Sequence, residues 1–155
     1  MKSEIRREVQ NSPGIHFRQL KREVGCSTST LNHHVRRDEE LKERKIRSYR
    51  RIYPSSVPED LENVLAALNH SSRGKMLYLT SFDSFTPSEI SRELGLSIST
   101  VSGHLKLLDR EGLVSVEVKG RKKSYVAMPA VRSALKDYTT NIVERMSDNF
   151  IEMWG

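Results

Sequence analysis

A single cysteine, Cys26, in 155 residues leaves no material for a disulfide framework or a thiolate-rich metal knuckle. No uninterrupted apolar run approaches the roughly 18–20 residues that cross a bilayer. The opening MKSEIRREVQ is charged throughout, where a secretory signal would be apolar. Apolar residues stop at 36% and aromatics at 6%, so any core is sparing and the chain fits one ordinary domain or two small ones. Catalytic apparatus is missing too: no paired carboxylates or activated cysteine stand in a supporting arrangement. Asn69 to Met76 is only a superficial phosphate loop, with Asn69 in place of the first glycine and Met76 in place of the hydroxyl after Lys75. The expectation is a cytoplasmic chain with no membrane partner, no enzyme activity, no metal and no other cofactor.

What is present is charge, and it is unevenly spread. Charged residues make up 30%, with a net +6. Residues 1–58 hold 14 Lys/Arg against 7 Asp/Glu, whereas residues 59–155 hold 12 against 13. Such an excess on a small protein points to a polyanionic partner, with nucleic acid ahead of a merely solvated basic surface or a membrane surface.

Pro54-Ser55-Ser56-Val57-Pro58 reads as a linker, because two prolines and two serines in five residues cannot continue a helix. The segments on either side repeat each other. With an offset of 70, Gly25, Ser27, Ser29, Thr30 and His34 lie over Gly95, Ser97, Ser99, Thr100 and His104, and Arg22-Glu23 lies over Arg92-Glu93. One structural unit is therefore used twice.

The second copy displays that unit best. Leu61, Val64, Leu65 and Leu68 recur at helical spacing with Asn69 offering a cap, and Met76, Leu77 and Leu79 supply the next apolar face. Thr86-Pro87-Ser88-Glu89 is a capping box with proline at the first helical position. The helix it starts buries Ile90 and Leu94 and stops at Gly95. Ser97 caps the following helix, which runs to Glu111 before Gly112. Val114, Val116 and Val118 alternate with polar residues as a strand, Lys119-Gly120-Arg121 turns, and Lys122 to Met128 returns. A helix-turn-helix followed by a basic-tipped hairpin is a winged helix. From Pro129 onward Val131, Leu135, Tyr138, Ile142, Met146, Phe150 and Met153 form one apolar stripe, either packed on its own domain or, as expected for so long a stripe, paired with a second subunit. Leu135, Tyr138, Ile142, Met146 and Phe150 are the candidate dimer contacts.

The fold expected is mainly α with small β-hairpin wings (α+β). Two tandem winged helix-turn-helix domains occupy 1–53 and 59–128, joined by 54–58 and followed by a long C-terminal helix over 129–155. On a helical wheel Val101, Leu105 and Leu108 face the core, while Ser99, Gly103, Lys106 and Arg110 face outward, flanked by Thr100 and Ser102. Short hydroxyls at Ser97 to Ser102 suit base edges, Lys106 and Arg110 suit phosphates, and Gly103 lets the helix backbone come close. In the first copy the same positions are Ser29, His33 and Arg36, flanked by Thr30, Asn32 and Arg37; Asn32 can pair with an adenine edge. Asp38 stands where Leu108 stands in the second copy, which obscures the helix end. The first wing reads as reduced, because Ile46 to Tyr53 lacks a glycine turn. Arg47, Arg50 and Arg51 lie in the most basic stretch and read as phosphate-gripping, as do Lys119, Arg121, Lys122 and Lys123 at the second hairpin. His34 and His104 read as half-buried structural histidines. The His33-His34 pair does not suit a metal, since neighbours on a helix point about 100° apart.

Leu65 to Leu77, then Glu89-Ile90, Leu94-Gly95-Leu96-Ser97, Ser99-Thr100-Val101-Ser102, His104-Leu105-Lys106 and Gly112-Leu113-Val114, closely resemble the ArsR family of winged-helix transcriptional regulators. The first segment, through Gly14-Ile15-His16-Phe17, Leu20-Lys21 and Ser29-Thr30-Leu31, is similar to the tandem winged-helix regulators common in archaea. The resemblance implies recognition of operator or promoter DNA, commonly by a homodimer. Metal-sensing members carry a thiolate pair where this chain has Thr86 to Ile90, without cysteine, and C-terminal histidines, of which none follows His104. The competing reading is a winged-helix module docking on the transcription machinery, with DNA binding weak or confined to one domain.

Overall fold

The computed structural model describes residues 1–138. These form a mixed α+β winged-helix fold with eight α-helices and two small antiparallel sheets. The first half runs α1 (Lys2–Asn11), β1 (Ile15–His16), α2 (Phe17–Val24), α3 (Thr28–Arg37), β2 (Leu41–Ile46) and β3 (Tyr49–Pro54). β3 lies between β1 and β2, with Ile15 opposite Ile52 and Lys45 opposite Arg50. Ile5, Val9, Leu20, Leu31 and Ile52 make its core, each such side chain contributing about 1.5–3 kcal/mol by leaving water. The His16 ring accepts the Arg18 N–H at the start of α2, and Gly25 closes α2 at φ 73°, a left-handed conformation that glycine adopts without steric cost.

Two features of this half depart from the sequence reading. α3 ends at Arg37, and Asp38 is buried because it holds α1: Arg6 Nε and Nη2 each donate to its carboxylate at 2.7 Å, and the Glu40 N–H adds a third bond at 3.0 Å. An acid thus replaces the apolar contact that Leu108 makes in the second half. The wing is also not reduced. β2 and β3 are six-residue strands paired along their whole length, and Arg47 and Ser48 make the turn at φ 55° and 70° without a glycine.

The second half begins with a 3-10 turn (Glu59–Leu61) and continues α4 (Glu62–Leu68), α5 (Ser71–Thr80), α6 (Pro87–Leu94), α7 (Ile98–Arg110), β4 (Val114–Lys119), β5 (Lys122–Ala127) and α8 (Pro129–Asp137). The capping box forms as its residues require: Thr86 Oγ1 accepts from the Glu89 N–H at 3.2 Å, and Glu89 accepts from the Thr86 N–H at 3.0 Å. Asn69 ends α4, while α5 is capped by His70, whose ring accepts the Arg73 N–H. The apolar face of β4 fades outward: Val114 is buried, but Val118 is 61% exposed.

The Pro54–Pro58 stretch is folded onto both halves rather than strung between them. The Ser55 N–H donates to the Glu40 carbonyl at 2.8 Å, Lys42 Nζ donates to the Val57 carbonyl, and Val57 sits in the second core. Tyr53 crosses from the first sheet into that same core, and its hydroxyl donates to the Glu62 carbonyl at 2.7 Å. Asn69 Nδ2 reaches back to the Pro13 carbonyl at 2.6 Å. Gly14, at φ 85°, lets the two halves touch: a Cβ there would stand 3.0 Å from the Tyr53 ring and 3.2 Å from the Leu65 backbone. Buried Glu62 draws Arg44 to 2.9 Å and Lys42 to 3.6 Å.

α8 packs on its own half. Val131 and Ala134 are buried in the second core, and Leu135 and Tyr138 lie against its edge. Both are half-buried there and keep part of their surface open to solvent; the other expected dimer contacts, Ile142, Met146 and Phe150, lie outside the described residues. Among the described residues no helix is long and apolar enough to cross a membrane.

Candidate nucleic-acid interface

The turn between α6 and α7 repeats that between α2 and α3 down to its hydroxyl bonds. Ser27 Oγ donates to Thr30 Oγ1 at 2.8 Å, accepts the Thr30 N–H at 3.2 Å and lies 3.2 Å from Ser29 Oγ; Ser97, Thr100 and Ser99 give the same three distances. This satisfies the start of each helix. On α7, Val101, Leu105 and Leu108 are buried. Ser97, Ser99, Thr100, Gly103, Lys106 and Arg110 are exposed, with Ser102 half-buried. On α3, Leu31 and Val35 are buried, Ser29, His33, Arg36 and Arg37 are exposed, and Thr30 and Asn32 are half-buried.

The wings differ. Lys119, Arg121, Lys122 and Lys123 are all exposed, and none has a carboxylate within ion-pair distance among the described residues. In the first wing the arginines are committed internally. Arg50 grips Glu43 through two bonds at 2.7 and 3.0 Å, donates to Asn32 Oδ1 at 2.7 Å and lies 3.7 Å over the Phe17 ring. Arg47 pairs with Glu111 at 3.2 Å. Arg51 is 6% exposed and donates to the Gly14 carbonyl, so it is a core residue and not a phosphate contact. Asn32 Oδ1 already accepts from Arg50, which leaves it one lone pair for a further donor.

The structure brings forward residues that sequence reasoning passed over. A cleft between α2 and the first wing is lined by Arg18, Lys21 and Arg22 beside Tyr49 and Arg50. Its counterpart lies between α6 and the second wing, where Arg92 joins Arg121, Lys122 and Lys123. The signal was available, since Arg22 and Arg92 fall on each other in the 70-residue offset. Ile98, 54% exposed on the first turn of α7, is the other omission.

His34 and His104 are half-buried. Burial, and then the nearby Arg73, lowers the His104 pKa. Its ring stands 5.6 Å from that of His70. Burial, followed by Arg73, His104, Arg51 and Arg47, pushes His70 down to about 4. Both rings are thus neutral near pH 7, and their contact joins the cap of α5 to α7. Among the described residues no group of three or more His, Cys, Asp or Glu side chains converges on a metal position.

Helix-turn-helix and wing together define the class: a winged helix-turn-helix chain. Residues 70–116 match the family model described as bacterial regulatory protein, arsR family, and residues 1–64 match a model described as an N-terminal HTH domain (HTH_HVO_0163_N). Two segments of the chain thus match helix-turn-helix domain models, the second of them that of the arsR family. It is 27% identical over 130 residues to an uncharacterized HTH-type transcriptional regulator of Methanocaldococcus jannaschii, covering 79% of this chain and 33% of that protein. The chain therefore spans about a third of the length of the curated relative it matches. Among solved structures, HlyU from Vibrio cholerae shares 26% identity over 50% of this chain and 85% of its own, with a TM-score of 0.46. NolR from Sinorhizobium fredii shares 24% over 50% and 79%, also at 0.46.

Proposed function

We propose that the chain is a sequence-specific double-stranded DNA-binding transcription regulator built as two tandem winged helix-turn-helix units, with α3 and α7 reading major grooves. The observation that carries this reading is the outer face of α7. Its exposed hydroxyls at Ser97, Ser99 and Thr100 give way along the helix to Gly103, Lys106 and Arg110, while Val101, Leu105 and Leu108 opposite are buried. Groove reading needs small polar groups at base edges and cations over phosphates, in that order along the helix. The unpaired cations of the second wing extend the phosphate contact beyond the helix, and Ile98 adds apolar discrimination for thymine.

The second half is the stronger phosphate binder in this reading, although the first half carries the charge excess. α3 contributes through Ser29, His33, Arg36 and Arg37. The chain further works as a homodimer through residues 129–155, because the apolar stripe continues past the part that α8 buries on its own half; light scattering of the purified chain measures this directly. Selection from a random duplex pool, followed by footprinting and a salt titration, tests the function. The expected result is an enriched motif with log K falling steeply against log salt. A flat salt response and no enriched motif would overturn it in favour of docking on a protein partner.

A further inference from the structure

Arg50 joins the first wing to the outer face of α3 and is held from three directions. Its Nε and Nη2 donate to the two carboxylate oxygens of Glu43 at 3.0 and 2.7 Å, and its guanidinium carbon stands 3.7 Å over the ring of buried Phe17. Held there, Nη2 also donates to Asn32 Oδ1 at 2.7 Å. The carboxylate fork and the ring fix the guanidinium in place and in plane, so Asn32 meets a stationary donor. A guanidinium has no acceptor, so the amide oxygen and not the amide nitrogen must face it. Asn32 therefore cannot turn its amide over without setting N–H groups against a cation. Its Nδ2 has no hydrogen-bond partner among the described residues. The same side chain lines the outer surface of α3 together with Ser29, His33 and Arg36. The second unit lacks this device. Lys45–Arg50 and Val118–Lys123 are each the second strand pair from their turn, which puts exposed Lys123 in the place of Arg50 and Val116 in the place of Glu43. Ser102 stands where Asn32 stands.

We propose, resting on the reading in which α3 enters a major groove, that Arg50 is a positioning residue that makes Asn32 a hydrogen-bond donor, and that Asn32 thereby selects guanine. An amide free to turn matches adenine best, accepting from N6 and donating to N7. Here the oxygen is engaged, and the one lone pair left on it lies beside a positive charge that disfavours a second donor such as adenine N6. The N–H pair that remains meets acceptors, and guanine alone presents two of them, O6 and N7, on its major-groove edge. The base read by α3 thus depends on a wing residue that need not touch DNA, and the two units read different sequences.

The test is selection from a random duplex pool by the whole chain and by Asn32→Ala, Arg50→Met and Arg50→Lys. Affinities for all four base pairs are then measured at the position whose preference Asn32→Ala abolishes. The unaltered chain is expected to favour guanine there over adenine by about tenfold. Arg50→Met frees the amide and is expected to move the preference to adenine, whereas Arg50→Lys keeps a cationic donor and retains guanine. Any base other than guanine in the unaltered chain overturns the proposal without recourse to an Arg50 variant. A guanine preference undiminished in Arg50→Met overturns the positioning role. A motif that survives Asn32→Ala at every position overturns this proposal alone, whereas a pool with no enriched motif overturns the DNA reading beneath it as well.

Discussion

The two halves share a turn whose hydroxyl bonds agree to 0.1 Å, yet they treat their arginines in opposite ways. In the first wing Arg47, Arg50 and Arg51 are spent on Glu111, on Glu43 and Asn32, and on the Gly14 carbonyl. In the second wing Lys119, Arg121, Lys122 and Lys123 are exposed and unpaired with acids. The half with the large charge excess uses much of it to hold itself and its neighbour together, while the nearly neutral half leaves its hairpin cations to solvent. Net charge counts groups; binding depends on which of them are unengaged.

The largest test of that contrast is on DNA. Replacing Arg121, Lys122 and Lys123 by alanine together should weaken duplex binding about 100-fold and lower the slope of log K against log salt by roughly 3. Arg50→Ala should lower it by less than about 1, because Arg50 is already paired. Fluorescence anisotropy across a salt series measures both, and equal slopes for the two variants would erase the distinction between the wings.

Next in size is Arg6→Ala. It strands the Asp38 carboxylate that stands in for a leucine of the other half, and should lower the urea unfolding midpoint without changing the m-value. Arg6 holds the Asp38 carboxyl below the ordinary carboxylate range. That stability is present at neutral pH and is lost as the pH falls below the ordinary Asp value, and Arg6→Ala should remove this acid dependence.

His70 supplies a third test, inside the second half. Its folded pKa of about 4 lies below the ordinary 6.5, so the unfolded chain binds the extra proton between those values. Stability therefore falls as pH drops from 6.5 toward 4. His70→Asn, which keeps a helix-capping acceptor, should flatten that fall by about 1 kcal/mol, less than the full shift implies because the ring stays partly solvated. The smallest effect concerns the turns. Ser48→Gly should raise stability by about 0.5–1 kcal/mol, since Ser48 sits at φ 70°, a left-handed conformation that glycine adopts without steric cost. Thermal unfolding of the single variant checks it.

Much of the helix-turn-helix was legible in the residues because its signals are local. Thr86 and Glu89 cap each other within one turn, Ser97 bonds Thr100 three residues on, and Gly95 needs only its own backbone to adopt φ 65°. The faces of α3 and α7 followed from spacing for the same reason. What was not legible depends on distant partners. Asp38 broke the apolar pattern for the sake of Arg6, 32 residues away. The basic run before Pro54 looked available to phosphate because its acceptors, Gly14 and Glu111, lie on other elements. The first wing was hidden by a turn that tolerates positive φ at Arg47 and Ser48 without glycine.

Tyr53 and Val57, seated in the core of the half they do not begin in, have a consequence for any operator this chain recognises. On the proposed reading, in which both units contact DNA, a connection packed into a core rather than slack makes the spacing between half-sites part of the recognised sequence. Inserting one base pair between them would turn one site by roughly 35° about the duplex axis. A floppy tether would absorb that error by reorienting a domain, whereas here the nucleic acid itself must twist or bend to absorb it.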